Sequence, residues 1–100
     1  MYDPGVDRHE WESEMQGLEE QLGENPAEAL PELDGLVARM LEATGGDEPE
    51  VMAEFRAARE ITQLAERGDE GVGPGDVAAA INGYRAVYDY LISNRTGAGE

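Results

Sequence analysis

The sequence predicts an all-α domain, either an antiparallel four-helix bundle or a three-helix core with a peripheral N-terminal helix. Apolar residues recur at spacings of three and four through four segments, which is the period of an amphipathic helix. Short stretches with Gly, Pro or Asn separate these segments, and no alternating pattern of a β-strand stands out. The 100 residues are expected to form one domain with frayed ends at 1–6 and 96–100.

The first helix is predicted to run from about Asp7 to Leu22, with Gly23 as its stop. Its apolar residues fall at i, i+4, i+7 and i+11, which places them on one narrow stripe. This stripe consists of Trp11, Met15, Leu18 and Leu22. Glutamates occupy the opposite side, so we expect a peripheral helix with one buried seam.

Asn25 and Pro26 are typical of a helix start, because Asn caps free amides and Pro is tolerated at the first helical position. Pro31 follows five residues later, where its ring removes a hydrogen bond and clashes with the preceding turn. We therefore expect a kink or a break at Pro31 and a productive second helix from about Pro31 to Ala43. This helix is predicted to end at Gly45–Gly46 and to bury Leu33, Leu36, Val37, Met40 and Leu41.

Asp47, Glu48 and Pro49 are predicted to open the third helix, which continues to about Arg67 and has Gly68 as its stop. We interpret it as the central helix because its apolar arc is wide, with Val51, Phe55, Ala57, Ala58, Ile61, Leu64 and Ala65. A loop rich in Gly and acid leads to a fourth helix that begins at Pro74 or Asp76 and ends near Asn94. Its buried stripe is predicted to contain Val77, Ala80, Ile81, Tyr84, Val87, Tyr88, Leu91 and Ile92.

Charge is the most unusual feature of the sequence, because 23 acidic residues face seven arginines and the net charge is -16. This magnitude exceeds the value of about 2 to 8 that keeps a small domain soluble. Direct binding to nucleic acid or to an anionic membrane is disfavoured, since each phosphate contact needs a local cation. Arginine without lysine is also typical of a GC-rich bacterial genome, and salt adaptation biases surfaces in the same direction. Background solubility is therefore an alternative explanation of the charge.

The sequence predicts no catalytic residue, no cofactor and no metal. There is no cysteine for a disulfide or a thiolate site, and the single histidine, His9, is too few for a bundle di-iron site. The acidic loops 45–50 and 69–76 lack the spacing of a calcium loop, and no nucleotide-binding or nucleophile motif occurs. No apolar run approaches the roughly 18 residues of a membrane span, and the N-terminus lacks signal-peptide features. We expect a cytoplasmic protein.

The distribution of charge predicts where a partner binds. Residues 1–54 hold 16 acids and two arginines, whereas residues 55–100 hold seven acids and five arginines. The acidic half presents Glu10, Glu14 and Glu20 on the outward face of the first helix, and we expect it to contact a basic protein. The alternative is a solvated face without a partner.

Positive charge is concentrated on the third helix, where Arg56, Arg59 and Arg67 share one side with Gln63. This side is able to pair with the acidic first helix, with another copy of the chain in a homodimer, or with glutamates of its own helix. Tyr90 lies off the apolar stripe of the fourth helix and Met52 flanks that of the third. Both are candidate interface anchors.

The leading functional hypothesis is a non-catalytic interaction or regulatory protein, as a homodimer or as a small subunit of a complex. The first alternative is an acidic mimic of nucleic acid, or an antitoxin, that blocks a basic nucleic-acid-binding protein. An enzyme of unrecognised type is the third choice, since the sequence contains no constellation of a nucleophile and a base.

Overall fold

A computed structural model describes the backbone of residues 4–44 and 48–98 and the side chains of residues 9–44 and 48–93. Within these ranges the chain forms four helices and no strand: α1 (Pro4–Glu24), α2 (Pro26–Thr44), α3 (Pro49–Glu66) and α4 (Pro74–Ala98). The all-α prediction is confirmed. Across the described residues, no helix combines the length and apolarity that a membrane span requires. Fraying of residues 1–6 and 96–100 stays a prediction.

The helices α2, α3 and α4 pack against one another, and α1 packs closely against α2. The arrangement therefore corresponds to a three-helix core with a peripheral N-terminal helix. Neighbouring elements run antiparallel: Glu14 of α1 pairs with Arg39 of α2 across the turn at Asn25, and α3 returns along both α2 and α4.

One apolar core joins all four helices. The predicted seam of α1 is confirmed, because Trp11, Met15, Leu18 and Leu22 are all buried. The most buried helix is α2, with Ala29, Leu30, Leu33, Leu36, Val37, Met40 and Leu41. Only Phe55, Ala58 and Thr62 are fully buried on α3, and Ala57 is exposed. The interpretation of α3 as the central helix is therefore wrong: its wide arc is half-covered by α2 and α4, whereas α2 is covered by three neighbours.

Of the kink or break expected at Pro31, the break is wrong, and so is the predicted start of the second helix at Pro31, because α2 is a single helix from Pro26 to Thr44. A proline at position 31 removes the hydrogen bond to the carbonyl of Ala27. Ala27 and Pro31 are both exposed, so water is able to solvate that carbonyl. Ala29 and Leu30 are completely buried and hold the first turns of α2 on the core.

The ends of the helices follow local hydrogen bonding. Gly68, the predicted stop of α3, has a φ of +72°. Its amide donates to the carbonyl of Ala65 at 3.1 Å, and the amide of Asp69 donates to that of Leu64 at 3.0 Å, which is the Schellman pattern. Two other predicted ends are wrong, since α1 continues past Gly23 and α4 continues past Asn94. The stop at Gly45–Gly46 lies outside the described residues.

A glycine allows α3 and α4 to approach closely. A Cβ placed on Gly83 of α4 would lie 3.4 Å from the Cβ of Ala58 and 3.5 Å from the carbonyl oxygen of Glu54. This contact brings the middle of α4 onto α3, directly beside Tyr84, whose side chain is completely buried.

Candidate partner-binding surface

The outward face of α1 is acidic because its apolar residues are confined to the seam against α2. Glu10, Glu20 and Glu24 are exposed, and no described cation forms an ion pair with them. Glu14 is half-buried, and exposed Glu28 continues the acidic surface onto the start of α2. Two of the predicted partner-binding residues, Glu10 and Glu20, are therefore accessible, and Glu14 is engaged within the chain.

Two arginines from other helices pair with this face. Arg39 of α2 donates to Glu14, and its Nε also donates to the carbonyl of Gly35 at 3.2 Å. Arg85 of α4 donates to Glu19 at 2.5 Å. The side chains of Arg39 and Arg85 are 61% and 43% exposed, so each pair contributes at most about 1 kcal/mol to folding. These pairs orient α1 more than they stabilise it.

The three predicted arginines of α3 do not form one cationic stripe. Arg59 turns toward α2 and binds Asp34 through two hydrogen bonds, from Nε at 3.0 Å and from Nη2 at 2.8 Å. Arg56 and Arg67 are exposed, and no ion pair with them occurs among the described side chains. Two glutamates of α1, Glu14 and Glu19, are instead paired with Arg39 and Arg85.

The predicted apolar anchors differ in accessibility. Tyr90 is 36% exposed and is the one large apolar side chain classed as exposed among those described. Met52 is half-buried and packs against the core. Tyr90 thus remains accessible to a partner, whereas most of Met52 is used within the fold.

A polar network, which the sequence reasoning missed, links the three core helices. The hydroxyl of Tyr84 donates to Oδ2 of Asp34 at 2.7 Å and lies 2.7 Å from Oγ1 of Thr62. Thr62 also lies within 3.0 Å of the carbonyl oxygen of Ala58. Two hydroxyl protons are available for these three contacts, and the charged carboxylate is the strongest acceptor, so the Tyr84 proton belongs to Asp34.

Charge and ring contacts reinforce this network. Burial raises the pKa of Tyr84 well above its ordinary value, and the hydrogen bond to Asp34 adds to the shift. The hydrogen bond to Asp34 also raises the pKa of Arg59. The guanidinium carbon of Arg59 lies 4.6 Å from the ring centroid of Phe55, and that ring meets Tyr84 edge-on at 6.1 Å. The contacts of Arg59 with Asp34 and Phe55 therefore stabilise the packing of the core helices.

A hollow of about 300 Å³ opens over the network between α2 and α3, and Pro31, Asp34, Arg59 and Gln63 are among its lining residues. Both oxygens of Asp34 already accept hydrogen bonds from Arg59, and one of them also accepts from Tyr84. The carboxylate is thus committed to its neighbours. Its chemistry in this arrangement is structural.

One sequence signal pointed to this network. Asp34 falls in a heptad-like row with Leu30, Val37 and Leu41, at spacings of four, three and four. An acid in such a row is buried beside the core and needs a partner of opposite charge or a strong donor. The signal identifies Asp34, but it does not identify Arg59 or Tyr84.

The described part of the chain contains no candidate metal site. No group of three or more His, Asp or Glu side chains is placed to hold a metal ion there, and His9 is exposed. Comparison of the chain with protein-family models, with curated proteins and with solved structures gives no match.

Proposed function

We propose that this protein is a non-catalytic interaction or regulatory module whose acidic N-terminal half binds a basic protein surface. The observation that carries the proposal is the excess of carboxylates on α1 and α2, eight of which are exposed among residues 9–44. Residues 9–44 contain ten acidic residues and a single arginine, Arg39. A field of one sign speeds the encounter with an oppositely charged partner and selects against acidic ones.

The fold supports this assignment because it holds the acidic face on a rigid element. The buried seam of α1 fixes which side of the helix faces outward, and the pair between Glu14 and Arg39 is a further link to α2. Asp34 and Tyr84 form their hydrogen bonds within the fold, with each other and with Arg59 and Thr62. Accessible carboxylates are therefore the chemistry that the N-terminal half offers to another molecule.

The test compares two variants of equal net charge. One carries Glu10→Gln, Glu20→Gln and Glu24→Gln on α1, and the other carries Glu60→Gln, Glu66→Gln and Glu70→Gln, which are also exposed. Each is used to capture proteins from an extract of the source cells at low salt, with quantitative mass spectrometry as the readout.

We expect the α1 variant to capture at least one basic protein less well than the unaltered chain does. The control variant should capture that protein as well as the unaltered chain. Equal capture by both variants and the unaltered chain would overturn the proposal. If the captured protein binds nucleic acid and added DNA displaces it from the acidic face, the module is a nucleic-acid mimic instead.

A further inference from the structure

We infer that the groove between α1 and α4 binds a basic amphipathic helix of a partner protein. This inference rests on the proposed function and adds to it the place of binding and the form of the partner. The groove exists because α4 packs closely against α2 and α3, whereas α1 packs closely against α2. The facing sides of α1 and α4 are thus left partly uncovered.

Three adjoining hollows form this groove, which we call the α1–α4 groove. The first, of about 240 Å³, lies between Met15 and Tyr88. The second, of about 360 Å³, lies between Leu22 and Ile81 and shares Glu19 and Arg85 with the first. The third and widest, about 630 Å³, opens at the end of the bundle where α1 meets the start of α4.

The floor of the groove is mainly apolar at its wide end, whereas the two narrow hollows expose polar and apolar surface about equally. Leu22 and Val77 are buried there, Ile81 and Val72 are half-buried, and Ala78 is exposed. Apolar side chains gathered in a concave site with accessible edges are typical of a binding groove. Apolar side chains of a partner would bury this floor.

The rim of the groove selects the charge of the partner. Glu19 and Asp89 line the narrow part, and Glu28 lines the wide end. Arg85 is the one basic residue lining these hollows, and it is already paired with Glu19. A lysine or arginine beside the apolar anchors of the partner matches this rim. A second copy of the chain, at a net charge of -16, is repelled by it.

The length of the groove fits a helix. Along α4 the groove runs from Val77 to Asp89, twelve residue steps or about 18 Å at the helical rise. A partner helix of about three turns covers this distance and places anchors at i, i+4 and i+7, one over each hollow.

The test uses a defined probe, a fluorescent peptide of about 14 residues made of leucine and lysine with leucines at helical spacing. A scrambled peptide of the same composition is the peptide control. The protein variants are Ala78→Arg, which blocks the groove, and Ala79→Arg, whose exposed neighbouring site is not a lining residue. Both variants change the net charge equally. Circular dichroism and the emission of Trp11 verify their folding.

We expect the helical peptide to bind the unaltered chain and Ala78→Arg to weaken binding about tenfold more than Ala79→Arg does. Equal loss in both variants, or equal binding of the scrambled peptide, overturns the groove while leaving the acidic surface in place. If neither peptide binds the unaltered chain, the groove is overturned, and equal capture by the two glutamine variants would overturn the proposed function as well. A dimer that Ala78→Arg dissociates overturns the choice of partner.

Discussion

The hydroxyl of Tyr84 donates a 2.7 Å hydrogen bond to Oδ2 of Asp34, which lies 50 positions earlier in the chain. This single contact ties α4 to α2, and Arg59 ties α3 to the same carboxylate. The three core helices therefore share one polar centre in an otherwise apolar interior. Its hydrogen bonds are satisfied within the fold, so it specifies which helix faces meet.

Replacing Tyr84 with Phe is expected to lower the free energy of unfolding by about 1–3 kcal/mol. The change removes a hydrogen bond to a charged acceptor and leaves Asp34 with one donor fewer in a partly buried site. Tyr90→Phe is the matched control, because that side chain is exposed, and we expect it to change stability by less than about 0.5 kcal/mol. Urea unfolding followed by circular dichroism measures both. Similar losses in the two variants would contradict the role of the Asp34 contact.

Stability is expected to fall in alkaline solution because of Tyr84. Its pKa is raised in the folded chain above the ordinary value of 10.0, so above that pH the unfolded chain loses a proton that the folded chain keeps. The folded state then binds more protons, and the free energy of unfolding decreases by up to about 1.4 kcal/mol per pH unit. Below the ordinary pKa this contribution is fully present. Urea midpoints measured on either side of that pH test the slope, which Tyr84→Phe should reduce. An unchanged slope in that variant would assign it to other groups.

Two glycines are expected to respond in opposite directions to alanine. Gly68→Ala should destabilise the protein by about 1 kcal/mol, because its φ of +72° is costly for any residue with a Cβ. Gly35→Ala should stabilise it by about 0.5–1 kcal/mol, because Gly35 is inside α2 and open space surrounds a Cβ placed there. Thermal unfolding of the two variants side by side decides the matter. The same sign for both changes would be incompatible with this account.

Pro31→Ala is expected to stabilise the protein by about 1 kcal/mol or more. Since α2 is helical on both sides of Pro31, alanine restores the hydrogen bond to the carbonyl of Ala27 and removes a helix-breaking ring. Part of this gain is offset because proline restricts the unfolded chain. The urea midpoint measures the net effect, with the exposed Ala27→Ser as a control for small changes in the same turn. If Pro31→Ala instead lowers the urea midpoint, the proline ring itself contributes to packing.

Much of the fold follows from periodicity alone. The seam of α1 and the buried stripe of α4 were predictable because spacings of three and four determine which side of a helix is covered. The continuity of α2 was not predictable, because the cost of Pro31 is local whereas the burial of Ala29 and Leu30 depends on neighbouring helices. The central position of α2 has the same origin. Its apolar side chains are no more regular than those of α3, but three helices cover them.

The negative charge of the candidate surface was predictable from the sequence, but the pairing of its individual acids was not. An excess of acids in residues 1–54 is a property of the composition. Which acids are paired depends on Arg39 and Arg85, whose distances from Glu14 and Glu19 are set by packing between helices. The pairing of Arg59 was not predictable for the same reason. Its position on α3 is consistent with an exposed stripe, because its partner, Asp34, is 25 residues away in sequence and on another helix.

The turn between α1 and α2 contains one non-helical residue, Asn25. Its amide donates to the carbonyl of Gln21 at 2.7 Å, and its carbonyl accepts from the amides of Glu28 and Ala29, each at 3.1 Å. Few backbone dihedral angles are left to rotate, so α1 cannot swing away from α2 without unwinding a helix end. The acidic face is thus held in one orientation before any encounter, and the loss of conformational entropy on association falls on the partner. Affinity will therefore increase with the degree of order that a partner segment has when it is free.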